Sequence, residues 1–156
     1  MSPTIGQSKE ITYQIHKAVF LLDKMSDQIL QDQLGLGFSQ FLVMMALAKQ
    51  PKSPQKSVAA SLDQTQAAVS RQIEILVRMK LVSRDRNPDT KREYVLSLTQ
   101  LGQRRYREGL DQIDLRFDKL FQIWSKNEKS NLINALDKLV FEIRTKGIKK
   151  ICGTGK

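Results

Sequence analysis

Apolar positions recur at helical spacing over the first third of the chain. Ile11, Ile15, Ala18, Leu22, Met25 and Ile29 follow steps of four and three, which gathers them on one face and predicts a helix over residues 8–33, ended by Gly35 and Gly37. Ser39 then reads as the cap of a second helix over 40–50, with Phe38 and Val43 placed as a hydrophobic staple. That helix carries Phe41, Leu42, Val43, Met44, Met45 and Leu47, so it is apolar nearly all round and belongs in the core, and Pro51 stops it. Ser53-Pro54 reads as a cap followed by proline at the first helical position of a short helix running to about Leu62. Asp63-Gln64 makes a tight turn, and Thr65 caps the next helix, over 66–79.

The pattern then changes period. Residues 81–86 and 94–98 are short strand-like runs, and Asn87-Pro88-Asp89-Thr90 between them is turn chemistry, so the pair predicts a β-hairpin. Two long helices follow. The first, over 100–124, carries Tyr106, Leu110, Ile113, Phe117, Leu120 and Trp124; the second, over 128–145, carries Leu132, Leu136, Leu139 and Ile143. The fold class is therefore mainly α, with one small β-hairpin. The expected organisation is a single domain over 1–156. Its middle, 39–98, is a winged helix-turn-helix, flanked by long helices at 5–34 and 100–145, with a basic, frayed tail at 146–156.

Composition narrows the function. With 26 Lys+Arg against 16 Asp+Glu the net charge is +10, which points to an anionic partner. Its distribution is more telling: residues 71–107 hold ten basic residues and four acidic ones, a net +6. No apolar run approaches the roughly 20 residues of a membrane span. The Met-Ser-Pro-Thr-Ile-Gly start lacks the basic and apolar stretches of a secretory signal, and one cysteine, Cys152, makes no internal disulfide, so a cytoplasmic location is expected. No nucleophile with a histidine base, glycine-rich phosphate loop or metal-spaced carboxylate pair is present, so neither an enzyme nor a cofactor is expected. With a single histidine and no cysteine cluster, no metal site is expected either.

The segment from Val58 to Ile73 meets the needs of a helix-turn-helix. Ala59 is small where the two helices meet, Asp63 tolerates a left-handed turn, and Val69, Ile73 and Leu76 supply buried anchors. The other face, with Thr65, Gln66, Ala67, Ser70 and Arg71 near the helix start, offers small and polar groups to base edges in the major groove of double-stranded DNA. At these residues the chain resembles the multiple-antibiotic-resistance regulator (MarR) family. Thr65-Gln66-Ala67-Ala68-Val69-Ser70-Arg71-Gln72-Ile73 is similar to that family's recognition helix. Met79-Lys80-Leu81-Val82-Ser83-Arg84 is similar to the step into its wing, and Leu98-Thr99-Gln100-Leu101-Gly102 to the entry into its fifth helix. Two positions depart from the family pattern: Lys80 stands where glycine is usual, and Thr90 stands where an aspartate often precedes the basic pair of the wing.

The resemblance implies a homodimeric, sequence-specific regulator, with a repressor on a pseudo-palindromic operator as its leading form. The alternative is an architectural DNA-binding protein of weak sequence preference. A membrane-surface protein is the third class, and the recognition helix argues against it. Arg84, Arg86, Lys91 and Arg92 are the wing candidates for DNA contact; the alternative for Arg86, Lys91 and Arg92 is a solvated hairpin tip, and for Arg84 an ion pair with Asp85 or Glu93. The resemblance further implies a small-molecule pocket near the first, second and fifth helices, taking an aromatic or phenolic effector. His16, Phe20, Phe38, Phe41, Met45 and Tyr106 are its candidates, with plain core or surface packing as the other reading. The apolar stripes at both ends of the chain suggest a dimer, with Ile15, Phe117, Phe121, Trp124, Leu136 and Ile143 in or beneath its interface.

Overall fold

The structure, a computed structural model, describes residues 3–87, 90 and 93–147, with backbone alone for 3–5. The elements run α1 (Pro3–Leu34), α2 (Phe38–Lys49), β1 (Ser53–Pro54), α3 (Gln55–Ser61), α4 (Gln66–Arg78), β2 (Val82–Arg86), β3 (Tyr94–Leu98), α5 (Gln100–Phe121) and α6 (Lys126–Lys146). The three strands form one antiparallel sheet in the order β1-β3-β2. The chain divides into two compact units, Met1–Leu115 and Arg116–Lys156.

The first unit has a continuous apolar core. Leu30 and Leu36 enter it from α1 and the following turn, and Phe41, Val43, Met44 and Leu47 from α2. Val58 and Ala59 come from α3, Val69, Ile73 and Leu76 from α4, and Leu81, Val82 and Leu96 from the base of the hairpin. The expectation that residues 40–50 are central is met, since Phe41, Val43, Met44 and Leu47 are all buried. The second unit is different. Among the described residues, no side chain of α6 is buried, and its end of α5 is held by edge-to-face rings, Phe117 on Phe121 and Phe121 on Trp124, with centroids 6.4 and 5.6 Å apart.

Several boundaries differ from the sequence reading. α1 begins at Pro3, five residues earlier than expected. It ends as expected at Gly35, whose φ of +64° turns the chain left-handed while its N–H donates to the Gln31 carbonyl. The cap of α2 is Gly37 rather than Ser39. The Gln40 side-chain oxygen accepts from the Gly37 N–H at 3.0 Å, and Asp27 of α1 accepts from the Phe38 N–H at 2.8 Å. With those amides satisfied earlier, Ser39 lies inside the first turn, and Leu36 and Phe41, both buried, occupy the staple positions.

Ser53-Pro54 is a strand rather than a helix start, pairing with Leu96 and Val95 at the sheet edge. The Ser53 hydroxyl donates to the Gln50 carbonyl, so it does not cap, and extended Pro54 itself precedes α3. Proline is tolerated there because an edge strand can spare its N–H. The last two helices also shift: α5 stops at Phe121 rather than Trp124, and α6 starts at Lys126, capped by Ser125.

Candidate nucleic-acid interface

The α3–α4 pair is a helix-turn-helix built as its sequence demands. Ala59 is buried at the crossing. Asp63 takes φ 51°, and the next N–H, from Gln64, donates back to the Ala59 carbonyl at 3.0 Å, closing the turn. Thr65 caps α4 by accepting from the Ala68 N–H at 3.2 Å. Val69, Ile73 and Leu76 are fully enclosed, which fixes the rotation of α4 about its axis. That rotation leaves Thr65, Gln66, Ala67 and Arg71 exposed and Ser70 half-buried. A second tie holds the two helix starts together: the Gln55 amide donates to the Gln66 carbonyl at 3.3 Å.

The far end of α4 is equally specified. Lys80 adopts φ 59°, the left-handed conformation that glycine takes without strain. Its N–H donates to Val77 and that of Leu81 to Leu76, both at 2.9 Å, which closes the helix with a Schellman pair. The Leu-Thr-x-x-Gly step then locks this end to α5. The Thr99 hydroxyl donates to the Lys80 carbonyl at 2.7 Å and accepts from the Gly102 N–H at 2.9 Å, while the Thr99 N–H donates to Leu81 at 3.0 Å. A β-carbon on Gly102 would lie 2.0 Å from the Leu81 carbonyl oxygen, so only glycine fits.

From this anchored root the β2–β3 ribbon projects. Arg84 lies opposite Leu96 and Arg86 opposite Tyr94, so the two arginines share one face. The Asn87 N–H donates to the Glu93 carbonyl at 2.8 Å. The wing residues Lys91 and Arg92, with Pro88 and Asp89, lie outside the described residues, as does Cys152 in the tail. The ion pairs considered for Arg84 do not form. Glu93 bonds Lys56 of α3 at 3.0 Å, and Asp85 accepts from the Ser83 hydroxyl at 3.0 Å. Among the described residues, Arg84 and Arg86 have no acidic partner, and both are exposed.

The recognition helix and the wing meet in a cleft of about 320 Å³ lined by Pro54, Gln55, Lys56, Gln66, Arg84, Glu93, Tyr94 and Leu96. Of the DNA candidates, Gln66 and Arg84 are thus brought together directly. Gln55, Lys56 and Tyr94 join them without having been singled out from the sequence. Lys56 and Gln55 open the first helix of a helix-turn-helix, a place where backbone-phosphate contacts are common, and that was the available signal.

Three of the pocket candidates, Phe38, Phe41 and Tyr106, belong to the first unit's core or pack against it. Phe41 is core, its ring 5.3 Å from that of Tyr106. Phe38 and Met45 are half-buried, and His16 and Phe20 stand on the exposed first half of α1. The interface candidates share partial or full exposure: Ile15, Phe117 and Phe121 are half-buried, while Trp124, Leu136 and Ile143 are 36–40% exposed. Among the described residues, no group of three His, Cys, Asp or Glu side chains could hold a metal, and no helix is long and apolar enough to cross a membrane.

Comparison with known proteins agrees with this geometry. A model of the MarR family matches residues 34–93, the stretch from the end of α1 through β2 to the residue before β3. An uncharacterized HTH-type transcriptional regulator of Bacillus subtilis (strain 168), YhbI, is 27% identical over 94 residues, 60% of this chain and 61% of its own length. The match therefore spans about three-fifths of that relative. Among solved structures, a MarR-family protein from Bacillus stearothermophilus superposes with a TM-score of 0.79 at 15% identity, over 92% of this chain and 99% of the other. A MarR/EmrR-family transcriptional regulator from Acinetobacter sp. ADP1 superposes with a TM-score of 0.75 at 24% identity, over 88% and 97%.

Proposed function

We propose that this chain, which carries a MarR-family winged helix-turn-helix, is a DNA-binding transcriptional regulator that works in the cytoplasm as a homodimer. In this reading it represses by occupying a pseudo-palindromic operator and is released by a small aromatic or phenolic effector. The observation that carries the reading is the shared cleft of Gln66 and Arg84. It brings together an amide able to read a base and a cation that has no acidic partner among the described residues, as a major groove and its flanking phosphate adjoin in duplex DNA. Each copy then reads one half-site, and the exposed apolar stripe on α1 and that on α6 each supply surface for pairing two copies.

Gln66 has an amide that can pair with adenine, Arg71 a guanidinium that can fork onto guanine, and Ala67 a methyl that can meet a thymine methyl. Arg84 and Arg86, and Lys91 and Arg92 beyond them, hold the backbone. Binding to matched and scrambled duplexes across a salt series tests the division of labour. Gln66→Ala is expected to cost about 1 to 3 kcal/mol on the matched site and to flatten discrimination at one or two base pairs. Arg86→Ala is expected to weaken both duplexes alike and to make the salt dependence shallower by about one unit. Equal losses on both duplexes with equal salt slopes would sink the assignment and favour an architectural role. Effector release is expected to show as a coupling of about 1 to 3 kcal/mol between ligand and operator.

A further inference from the structure

The cleft between the recognition helix and the wing holds a contact that opposes the binding of a polyanion. Lys56 and Arg84 bring two cations to it, and Glu93 is the one carboxylate among the described residues that line it. That carboxylate pairs with Lys56 at 3.0 Å and leaves Arg84 with no acidic partner among the described residues. The fold sets the pair up. Antiparallel pairing of Ser53 with Leu96 and of Pro54 with Val95 runs the start of α3 alongside the start of β3, which brings residue 56 to residue 93. The Glu93 backbone is fixed in turn, its carbonyl accepting from the Asn87 N–H at 2.8 Å. Gln55 ties the same turn of α3 to the start of α4 through the Gln66 carbonyl. Lys56 therefore stands beside the base-reading end of the recognition helix, where a cation meets the phosphates that flank a groove. The two side chains are 61% and 49% exposed, so their pairing adds little to the stability of the fold. Its effect on a polyanion is larger. A lysine held on a carboxylate releases no counterion from DNA, and an acid in the cleft repels phosphate.

We infer that Glu93 is an autoinhibitory residue of this cleft: by pairing with Lys56 it withholds that cation from the DNA backbone and lowers the affinity for every duplex, matched or scrambled. Discrimination between duplexes stays with Gln66 and its neighbours on α4, since a phosphate contact is common to both. A chain of net charge +10 is drawn to any nucleic acid, and Glu93 restrains that attraction at the point of contact. The inference rests on the DNA-binding reading above.

The test compares the full-length wild type, Glu93→Gln, Lys56→Gln and the double variant. Each is titrated across a salt series with a duplex selected from a random pool and with its scrambled counterpart. Both positions are exposed, so melting temperatures are expected to stay unchanged. Glu93→Gln is expected to bind both duplexes several-fold more tightly, with a salt slope steeper by about one unit and an unchanged ratio between the two. Lys56→Gln alone is expected to weaken both duplexes by baring the carboxylate, while changing the slope by well under that unit. In the Glu93→Gln background the same substitution is expected to remove the whole gained unit and return the affinity to near the wild-type value. Weaker binding by Glu93→Gln would make the pair a clamp that positions the wing, and would overturn the proposal. Unchanged affinity and slope in that variant would overturn it too. So would a full unit of slope lost by Lys56→Gln alone, because the lysine would then already be spent on phosphate. A heparin column separates the proposal from the reading it rests on. There Glu93→Gln is expected to elute at higher salt than the wild type, and the double variant at the wild-type position. If none of these proteins binds any duplex, the regulator reading fails, and the order of elution still decides whether Glu93 withholds Lys56 from a polyanion.

Discussion

The core around α4 and the outer face of α6 carry the same sequence signal and end in opposite states. Val69, Ile73 and Leu76 recur at helical spacing and are fully enclosed. Leu132, Leu136, Leu139 and Ile143 recur at helical spacing too, and each is 38–41% exposed. The first half of α1 behaves like α6, with Ile11, Val19 and Phe20 all more than half exposed. Periodicity reports that a helix has an apolar face; it does not report whether the chain itself owns the surface that covers it. The helix-turn-helix anchors are enclosed by their own chain, whereas the apolar faces of α1 and of α6 are left exposed.

The sharpest way to break that contrast is to cut into each face. Phe41→Ala removes a ring that is 1% exposed and packed on Tyr106. It is expected to cost about 3 to 5 kcal/mol in denaturant unfolding, independent of protein concentration. Leu136→Asp on α6 is expected to act through assembly instead. Sedimentation at micromolar concentration is expected to give twice 17.9 kDa for the wild type and a single copy for the variant. Operator binding is expected to fall with the loss of paired half-sites, while the α4 core stays folded. A wild-type chain that sediments as a monomer and still binds its operator would show that the stripe on α6 is not an assembly surface.

The same contrast explains what could be read in advance. The helix-turn-helix was legible because its constraints are local: a small residue at Ala59, a turn at Asp63, a cap at Thr65 and three anchors on one face. The hairpin strands were legible from the change of period. What escaped depended on partners far along the chain. Gly37 caps α2 because Asp27, ten residues earlier, reaches across to the neighbouring Phe38 N–H. Ser53-Pro54 joins the sheet because Leu96 and Val95 fold back beside it. A hollow of about 440 Å³ between the end of α2, the end of β3 and the start of α5 unites residues from 47 to 107, and no local spacing announces it. Ser125 is the exception: Ser-x-x-Glu is a local signature, and α6 starts there rather than at Glu128.

A smaller effect sharpens the account of the reading half. Lys80 sits at φ 59° to close α4, and a β-carbon in that conformation is strained. Lys80→Gly keeps both Schellman bonds and relieves the strain, at the cost of a more flexible unfolded chain. The balance is expected to raise stability by about 0.5 to 1 kcal/mol, read as a higher denaturation midpoint at unchanged slope. A loss of stability instead would mean that the lysine side chain contributes packing that outweighs the strain.

The smallest expected effect lies at the start of α6, in the unit with the least burial. The Ser125 hydroxyl donates to Glu128 Oε2 at 2.7 Å, and the Ser125 N–H donates to the same oxygen at 2.8 Å. Both bonds favour the charged carboxylate, the hydroxyl more than the amide, and hold the Glu128 pKa below its ordinary value. The sign of the pH dependence follows. Because the folded state lowers this pKa, the capping contribution is fully present above the ordinary glutamate value and is lost as pH falls through the lowered one. A carbon-detected titration of the Glu128 side chain is expected to show a midpoint below that of a free glutamate. Ser125→Ala is expected to move that midpoint back up and to weaken amide protection at Glu128, whose N–H donates to the Ser125 hydroxyl. An unchanged midpoint in the variant would show that the carboxyl is not held by Ser125, and the start of α6 would then rest on its backbone alone.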